Sequence, residues 1–179
     1  HYSSLHPDEQ TLSNRMRCLK DLKRIGFQVG AGMMIGSPGQ TTRHLAEDLL
    51  FLADFQPHMI GIGPFMPATG TPFTAASAGS LEDTLIMLAL ARIFVPAVLL
   101  PATTALGSLD PAGRELGLLA GANVIMPNLS PPDNRADYLL YDGKTRADDD
   151  VICNHEQMVQ IVEAAGMTVS SSRGDAVCR

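Results

Sequence analysis

The sequence predicts a parallel α/β fold, half of an eightfold barrel, and three features carry that expectation. Four short apolar runs, Val29–Gly36, Met59–Phe65, Pro101–Ala105 and Ala122–Asn128, each lead into Gly, Pro, Thr or Asn. Helical segments lie between them. The chain also opens on a helix, as though a preceding strand had been removed. Buried strands alternating with helices, with small polar residues at the strand exits, mark a parallel barrel or sheet whose site lies at that rim. Right-handed crossovers make the four strands parallel.

Each element has a local reason. Residues 1–10 are a polar lead-in. Thr11 to Ile25 is an amphipathic helix with Leu12, Met16, Leu19 and Leu22 on one face, and Gly26 can stop it. Phe27 to Gly36 reads as a strand, and Ser37-Pro38-Gly39 as its exit loop. Thr41 or Thr42 caps a helix through Ala53 that buries Leu45, Leu49 and Leu52, with Arg43 and Glu47 one turn apart. His58 to Pro64 is the next strand, followed by a Pro/Gly/Thr-rich loop from Pro67 to Gly79. Ser80 and Asp83 approximate a capping box for a nearly all-apolar helix to Val95, which must be covered on most sides.

The second half repeats the alternation. Pro101 to Ala105 is a short strand. Asp110 and Pro111 supply an N-cap and first turn for a helix running to Gly121. Asn123 to Met126 is the fourth strand. Pro127 to Asp150 is a long polar and acidic loop, of a length that is usually functional or mobile. Asn154 with Gln157 caps a last helix ending at Gly166, and residues 168–179 read as a frayed tail.

Composition narrows the function. The chain has 179 residues, 45% of them apolar, and a formal charge of −6, which fits one globular domain or part of a larger one. The acidic balance argues against a nucleic-acid-binding surface; the densest basic cluster, Lys20, Lys23 and Arg24, fits the wet face of one helix. The longest apolar stretch, Leu85 to Leu100, is interrupted by Arg92 and Pro96, so it reads as a buried helix rather than a membrane span. No N-terminal signal pattern is visible. Cys18, Cys153 and Cys178 lie far apart, which suggests neither a disulfide framework nor a metal site and fits a reducing, cytoplasmic compartment. The five histidines lack ligand spacing.

Several motifs have both a functional and a plain structural reading. Gly30-Ala-Gly32 with Gly36 has the spacing G-x-G-x-x-x-G and lies within a strand, so it is not a dinucleotide fingerprint; the glycines instead clear space for a ligand against the barrel wall. Thr103 and Thr104 can hold an anion or polar substrate, or satisfy nearby backbone groups. Met59 and Met126 can contact a ligand or fill core. Arg15 can grip a carboxylate bidentately or sit on the surface. Tyr138 and Tyr141 can close over a site or pack the long loop. No nucleophile–base pair, carboxylate pair or metal cluster is apparent, so no catalytic or metal-ligating residue is assigned.

Four runs, taken in order, resemble one family. Gly30-Ala-Gly-Met-Met-Ile-Gly-Ser-Pro-Gly-Gln-Thr41, Met59-Ile-Gly-Ile-Gly-Pro-Phe65, Pro101-Ala-Thr-Thr-Ala-Leu-Gly107 and Gly121-Ala-Asn-Val-Ile-Met-Pro-Asn128 are similar to the HydE family. These are radical S-adenosylmethionine maturases of FeFe-hydrogenase. The resemblance runs from Leu5-His-Pro-Asp8 to the last helix. Biotin synthase and methylornithine synthase are relatives. Biotin synthase carries an arginine on the strand matching residues 100–104, where this chain has Pro101-Ala-Thr-Thr.

The resemblance implies the C-terminal half of a (βα)8 TIM-type radical S-adenosylmethionine barrel. Residues 1–79 would end the core, 80–167 would form the biotin/thiamin-synthesis-associated region, and 168–179 the tail. It implies a 4Fe–4S cluster held by a C-x-x-x-C-x-x-C motif that these residues lack, and S-adenosylmethionine, from which a 5′-deoxyadenosyl radical arises. Arg15 matches the arginine that pairs with the S-adenosylmethionine carboxylate, and Met59 a residue near its adenosyl group. Thr103, Thr104, Met126 and Tyr141, with Tyr138 beside them, match residues lining the substrate cavity. A lining of Thr, Met and Tyr offers hydrogen bonds and keeps water from a radical. The implied substrate is a cysteine-bound iron carbonyl/cyanide synthon, and the implied partners are other hydrogenase maturation proteins, with neither nucleic acid nor membrane involved. Cys153 alone lies where some members carry an accessory cluster. The alternatives are a biotin synthase- or methylornithine synthase-like radical enzyme, or a non-catalytic half-barrel that binds a small molecule.

Overall fold

In the computed structural model, the described residues are 1–127, 131, 141 and 151–176, with 151–153 described by backbone alone. The elements in chain order are α1 (Tyr2–Leu5), α2 (Leu12–Arg24), β1 (Gly30–Ile35), α3 (Thr42–Phe55), β2 (Met59–Pro64) and α4 (Leu81–Phe94). They continue with β3 (Pro101–Ala102), α5 (Thr104–Leu109), α6 (Gly113–Leu119), β4 (Val124–Ile125) and α7 (Val151–Ala164). β1 pairs with β2 in parallel, Gly30 opposite Met59 through Ile35 opposite Pro64. β3 pairs with β4 in parallel, Pro101 opposite Val124 and Ala102 opposite Ile125. A parallel bridge between Met59 and Leu99 joins the two pairs, with the Ile60 amide donating to the Leu99 carbonyl at 2.9 Å. The strands therefore run β1-β2-β3-β4, all parallel, as the half-barrel expectation requires.

Alternation along β2 separates an apolar face from an open one. Ile60 and Ile62 are wholly buried and pack with Leu49 and Leu52 of α3 and Met87, Leu88 and Ala91 of α4. Successive strand side chains point to opposite faces, so Met59, Gly61 and Gly63 share the other side. By the register, Gly30, Gly32 and Met34 of β1 continue that second face. Full burial of an Ile or Leu side chain stabilises by roughly 1.5–3 kcal/mol, so this helix-backed face anchors the fold. A smaller cluster of Ala102, Leu118, Ala122 and Val162 lies behind β3 and β4.

Caps and staples follow the sequence in part. Thr41 is the N-cap of α3, completed as a capping box by His44, and Arg43 pairs with Glu47 at 2.8 Å. Ser80 accepts from the Asp83 amide at 3.2 Å. Arg92 lies along α4 and donates to the carbonyls of Gly121, Pro96 and Val98 at 2.8–2.9 Å, so it fastens α4 to the chain on either side of β3. Asn123 accepts from the Leu100 amide at 2.8 Å and adds a side-chain tie to the short β3–β4 ladder.

Several boundaries differ from the sequence expectation. The lead-in holds α1, in which Tyr2 stacks on His6 one turn later. The strands are shorter than expected, and the Pro101–Ala105 run is a two-residue strand turning at Thr103 into α5, so Thr104 and Ala105 are helical. Asp110 does not cap α6; its carboxylate accepts from the Ala112 amide at 2.8 Å, and the helix starts at Gly113. An Asp can bond the backbone two residues on and so hold a turn ahead of a helix. Asn154 and Gln157 lie inside α7, which begins at Val151, so they are not its cap. The tail is tied back: Gln28 bonds the Asp175 carboxylate and the Ala176 amide, both at 3.1 Å. The stripe of α2 is the least covered: no residue of this helix is buried, and Leu12 is 47% exposed. Lys23 of α2 donates to the Phe55 and Gln56 carbonyls rather than standing free in solvent. Tyr138 and nearly all of the expected 127–150 loop lie outside the described residues, as do Cys178 and the side chain of Cys153.

Candidate functional site

The open strand face is lined largely by backbone. Gly30 and Gly32 on β1 and Gly61 and Gly63 on β2 leave it without Cβ atoms, flanked by Met34 and Met59. A Cβ on Gly32 would stand 2.0 Å from the Gly61 carbonyl oxygen, so close strand approach excludes any side chain there. A groove of about 680 Å³ opens on this face and along the edge of β1. Its lining includes Arg15 and Met16 of α2, Gly30, Gly32 and Gly61 of the two strands, and, where it passes round the β1 edge, Glu47, Asp48 and Phe51 of α3. Burial there raises the carboxyl of Asp48 above its ordinary value, an effect opposed by His44.

Strand exits supply the polar rim. Gln40 holds the β1 exit by accepting from the Gly36 amide at 2.7 Å and donating to the Met34 carbonyl at 2.8 Å. Ser37 is buried beside it and meets the His1 ring at 2.9 Å. At the β3 exit, Thr103 packs on β2: a Cβ on Gly63 would lie 2.8 Å from Thr103 Oγ1. That hydroxyl is sealed from solvent and has no partner among the described residues. A buried hydroxyl without a hydrogen bond is costly and uncommon. Thr104 opens α5, and its carbonyl accepts from Ser108 Oγ at 3.2 Å. Ser108 in turn meets the Tyr141 hydroxyl in a long 3.5 Å contact. Met126 follows β4 and is 53% exposed.

The fold therefore groups the candidate residues in two places. Arg15 borders the glycine face from the β1 side. Met59 stands on that face, and Thr103 borders it from the β3 side. Thr104, through its carbonyl, and Tyr141, through its hydroxyl, both contact Ser108 of α5. Met126 contributes an exposed thioether one strand further on. Sequence reasoning did not single out Gln40, Ser108 or Arg114. Gln40 alone carried a signal, in its place immediately after the Ser-Pro-Gly exit loop.

Neither fit for the implied groups is equal. Arg15 is exposed, has no ion pair among the described residues and stands beside a face cleared of side chains, which suits a carboxylate-bearing nucleoside ligand. For an iron–sulfur cluster, no group of three or more Cys, His, Asp or Glu residues fit to hold a metal occurs among the described residues, and Cys18 stands alone and exposed. The described residues do not fit that cluster. No described helix is long and apolar enough to cross a membrane.

The fold is similar to one half of a radical S-adenosylmethionine barrel. A methylornithine synthase (PylB) structure superimposes with a TM-score of 0.70 at 26% identity, over 90% of this chain and 46% of that one. Among sequences, the chain is 48% identical over 143 residues to the [FeFe] hydrogenase maturase subunit HydE of Thermotoga maritima, covering 80% of this chain and 41% of the maturase. A biotin synthase of Ruegeria pomeroyi is 30% identical over 118 residues, 65% of this chain and 37% of that enzyme. The resemblance to the HydE family is thereby borne out. The chain spans less than half the length of these relatives. No protein-family profile matches it.

Proposed function

We propose that these residues form the C-terminal half of a cytoplasmic radical S-adenosylmethionine barrel that matures FeFe-hydrogenase, together with other maturation proteins. Its substrate class is a cysteine-bound iron carbonyl/cyanide precursor. The 48% identity to a hydrogenase maturase over four-fifths of the chain is the observation that carries this reading. When bound, S-adenosylmethionine supplies a 5′-deoxyadenosyl radical. Arg15 pairs with its carboxylate through a guanidinium that has no competing partner among the described residues, and Met59 and the glycine face receive the adenosyl group. Thr103, Thr104, Met126, Tyr138 and Tyr141 line the substrate end. The glycines along β1 and β2 leave that strand face bare for both molecules.

Ligands for a 4Fe–4S cluster would come from a segment other than this one. The test is anaerobic reconstitution of the full-length protein with iron and sulfide, followed by assay of 5′-deoxyadenosine. Release of 5′-deoxyadenosine is the expected result, with Arg15→Ala raising the KM for S-adenosylmethionine at least tenfold. A folded, iron-loaded protein that leaves S-adenosylmethionine intact overturns the reading. The likeness to biotin synthase favours a second reading, a radical enzyme acting at carbon–sulfur bonds. Conversion of dethiobiotin rather than the iron precursor would select it.

A further inference from the structure

Arg114 lies outside the candidate cavity and is an unusual residue for its place. It sits on α6, and its stem crosses α5 at Gly107: a Cβ there would lie 3.3 Å from Arg114 Nε and 3.4–3.5 Å from its Cγ and Cδ. Its Nη1 reaches the Met158 sulfur of α7 at 3.1 Å, a weak acceptor. Its Nε is sealed from solvent with no partner, and no carboxylate pairs with it among the described residues. Burial lowers its pKa, and Tyr141 lies near enough to oppose that shift.

A leucine or methionine would fill a three-helix junction without the cost of desolvating a guanidinium. The charge therefore has a use there, and the polar groups it stands among point to it. Gly107 and Ser108 are consecutive on α5. Ser108 bonds the Thr104 carbonyl one turn earlier and meets the Tyr141 hydroxyl. Arg114 thus braces the one helix that carries Thr104 and contacts Tyr141, while its far end is fixed on α7. We propose that Arg114 is a positioning residue, which holds α5 and, through Ser108, the Tyr141 side chain at the substrate end of the barrel. This rests on the reading of Thr104 and Tyr141 as cavity residues. Gly107 is part of the device, because any side chain there presses on the guanidinium.

The test uses the full-length protein, reconstituted anaerobically, with the cysteine-bound iron carbonyl cyanide complex as probe. Arg114→Met is compared with Arg114→Lys and Gly107→Ala at matched folded fraction. Substrate consumed per 5′-deoxyadenosine released falls about tenfold in Arg114→Met, while S-adenosylmethionine cleavage stays within twofold. Arg114→Lys restores most of the ratio. Gly107→Ala lowers it too, although alanine favours the helix and does not lower the Tm. Hydrogen exchange on the same samples needs no turnover: Arg114→Met speeds exchange at 104–109, with β1 and β2 unchanged. Unchanged exchange there overturns the proposal even if the enzyme proves inactive. An unchanged ratio, or a loss of Tm alone, overturns it in an active enzyme. Absence of 5′-deoxyadenosine from the wild type counts against the proposed function and leaves the exchange result to decide on Arg114.

Discussion

The β1–β2 half and the β3–β4 half of this chain are built alike and packed differently. β1 and β2 share a six-residue register, with α3 and α4 sealing Ile60, Ile62, Leu52 and Leu88 behind them. β3 and β4 share only two residues of register, and the cluster behind them is small and rich in alanine. The first half offers ligands a face of bare backbone. The second half offers hydroxyls, a thioether and a phenol at its exits. A thick core can tolerate a featureless glycine face, because its stability comes from the opposite side of the sheet. A short ladder leaves more chain for rim segments, where side chains can be chosen for chemistry.

The same substitution in both cores is the strongest test of that difference. Leu88→Ala, at a wholly buried position, is expected to cost about 3–5 kcal/mol, and Leu118→Ala near the lower end of the roughly 2–5 kcal/mol range. Denaturant titration of the full-length protein measures both, and equal losses would break the comparison. Next come the glycines. Gly32→Ala drives a Cβ into the Gly61 carbonyl and is expected to cost about 1–3 kcal/mol or more, whereas Gly30→Ala meets nothing closer than 3.8 Å and stays near neutral. A tolerated Gly32→Ala would mean the strands can part.

Two hydroxyls separate stability from chemistry. Thr41→Ala removes a working cap and should cost about 1 kcal/mol. Thr103→Val removes a hydroxyl that bonds nothing among the described residues, so its Tm should hold or rise while substrate turnover falls. A large stability loss from Thr103→Val would show that its hydroxyl serves the fold. The smallest effect concerns pH. Burial raises the Asp48 carboxyl in the folded state, so the native protein binds its proton more tightly than the unfolded chain. Stability therefore declines as pH rises from the unfolded Asp value through the higher folded one. Asp48→Asn should remove that part of the decline, seen as a flatter profile of Tm against pH.

Much of this fold was legible because its signals are local. Leu45, Leu49 and Leu52 repeat at helical spacing, and α3 forms there, with Leu49 and Leu52 buried as expected. Thr41 and Ser80 cap as short polar side chains do. Residues 101–105 misled for a physical reason. Pro-Ala-Thr-Thr-Ala suits a strand until Thr103 packs against Gly63, and that neighbour is 40 residues away in sequence. Asp110 misled similarly, since a turn and a cap use the same carboxylate.

The sequence by itself determined the alternation of strand and helix, the parallel order and the polar character of the rim, because periodicity and capping act within a few residues. Only the tertiary structure decided which strand face is bare, that Arg15 and Thr103 flank it from opposite margins, and that Arg114 lies across Gly107. Those relations depend on distances between residues far apart in the chain, which no local pattern encodes.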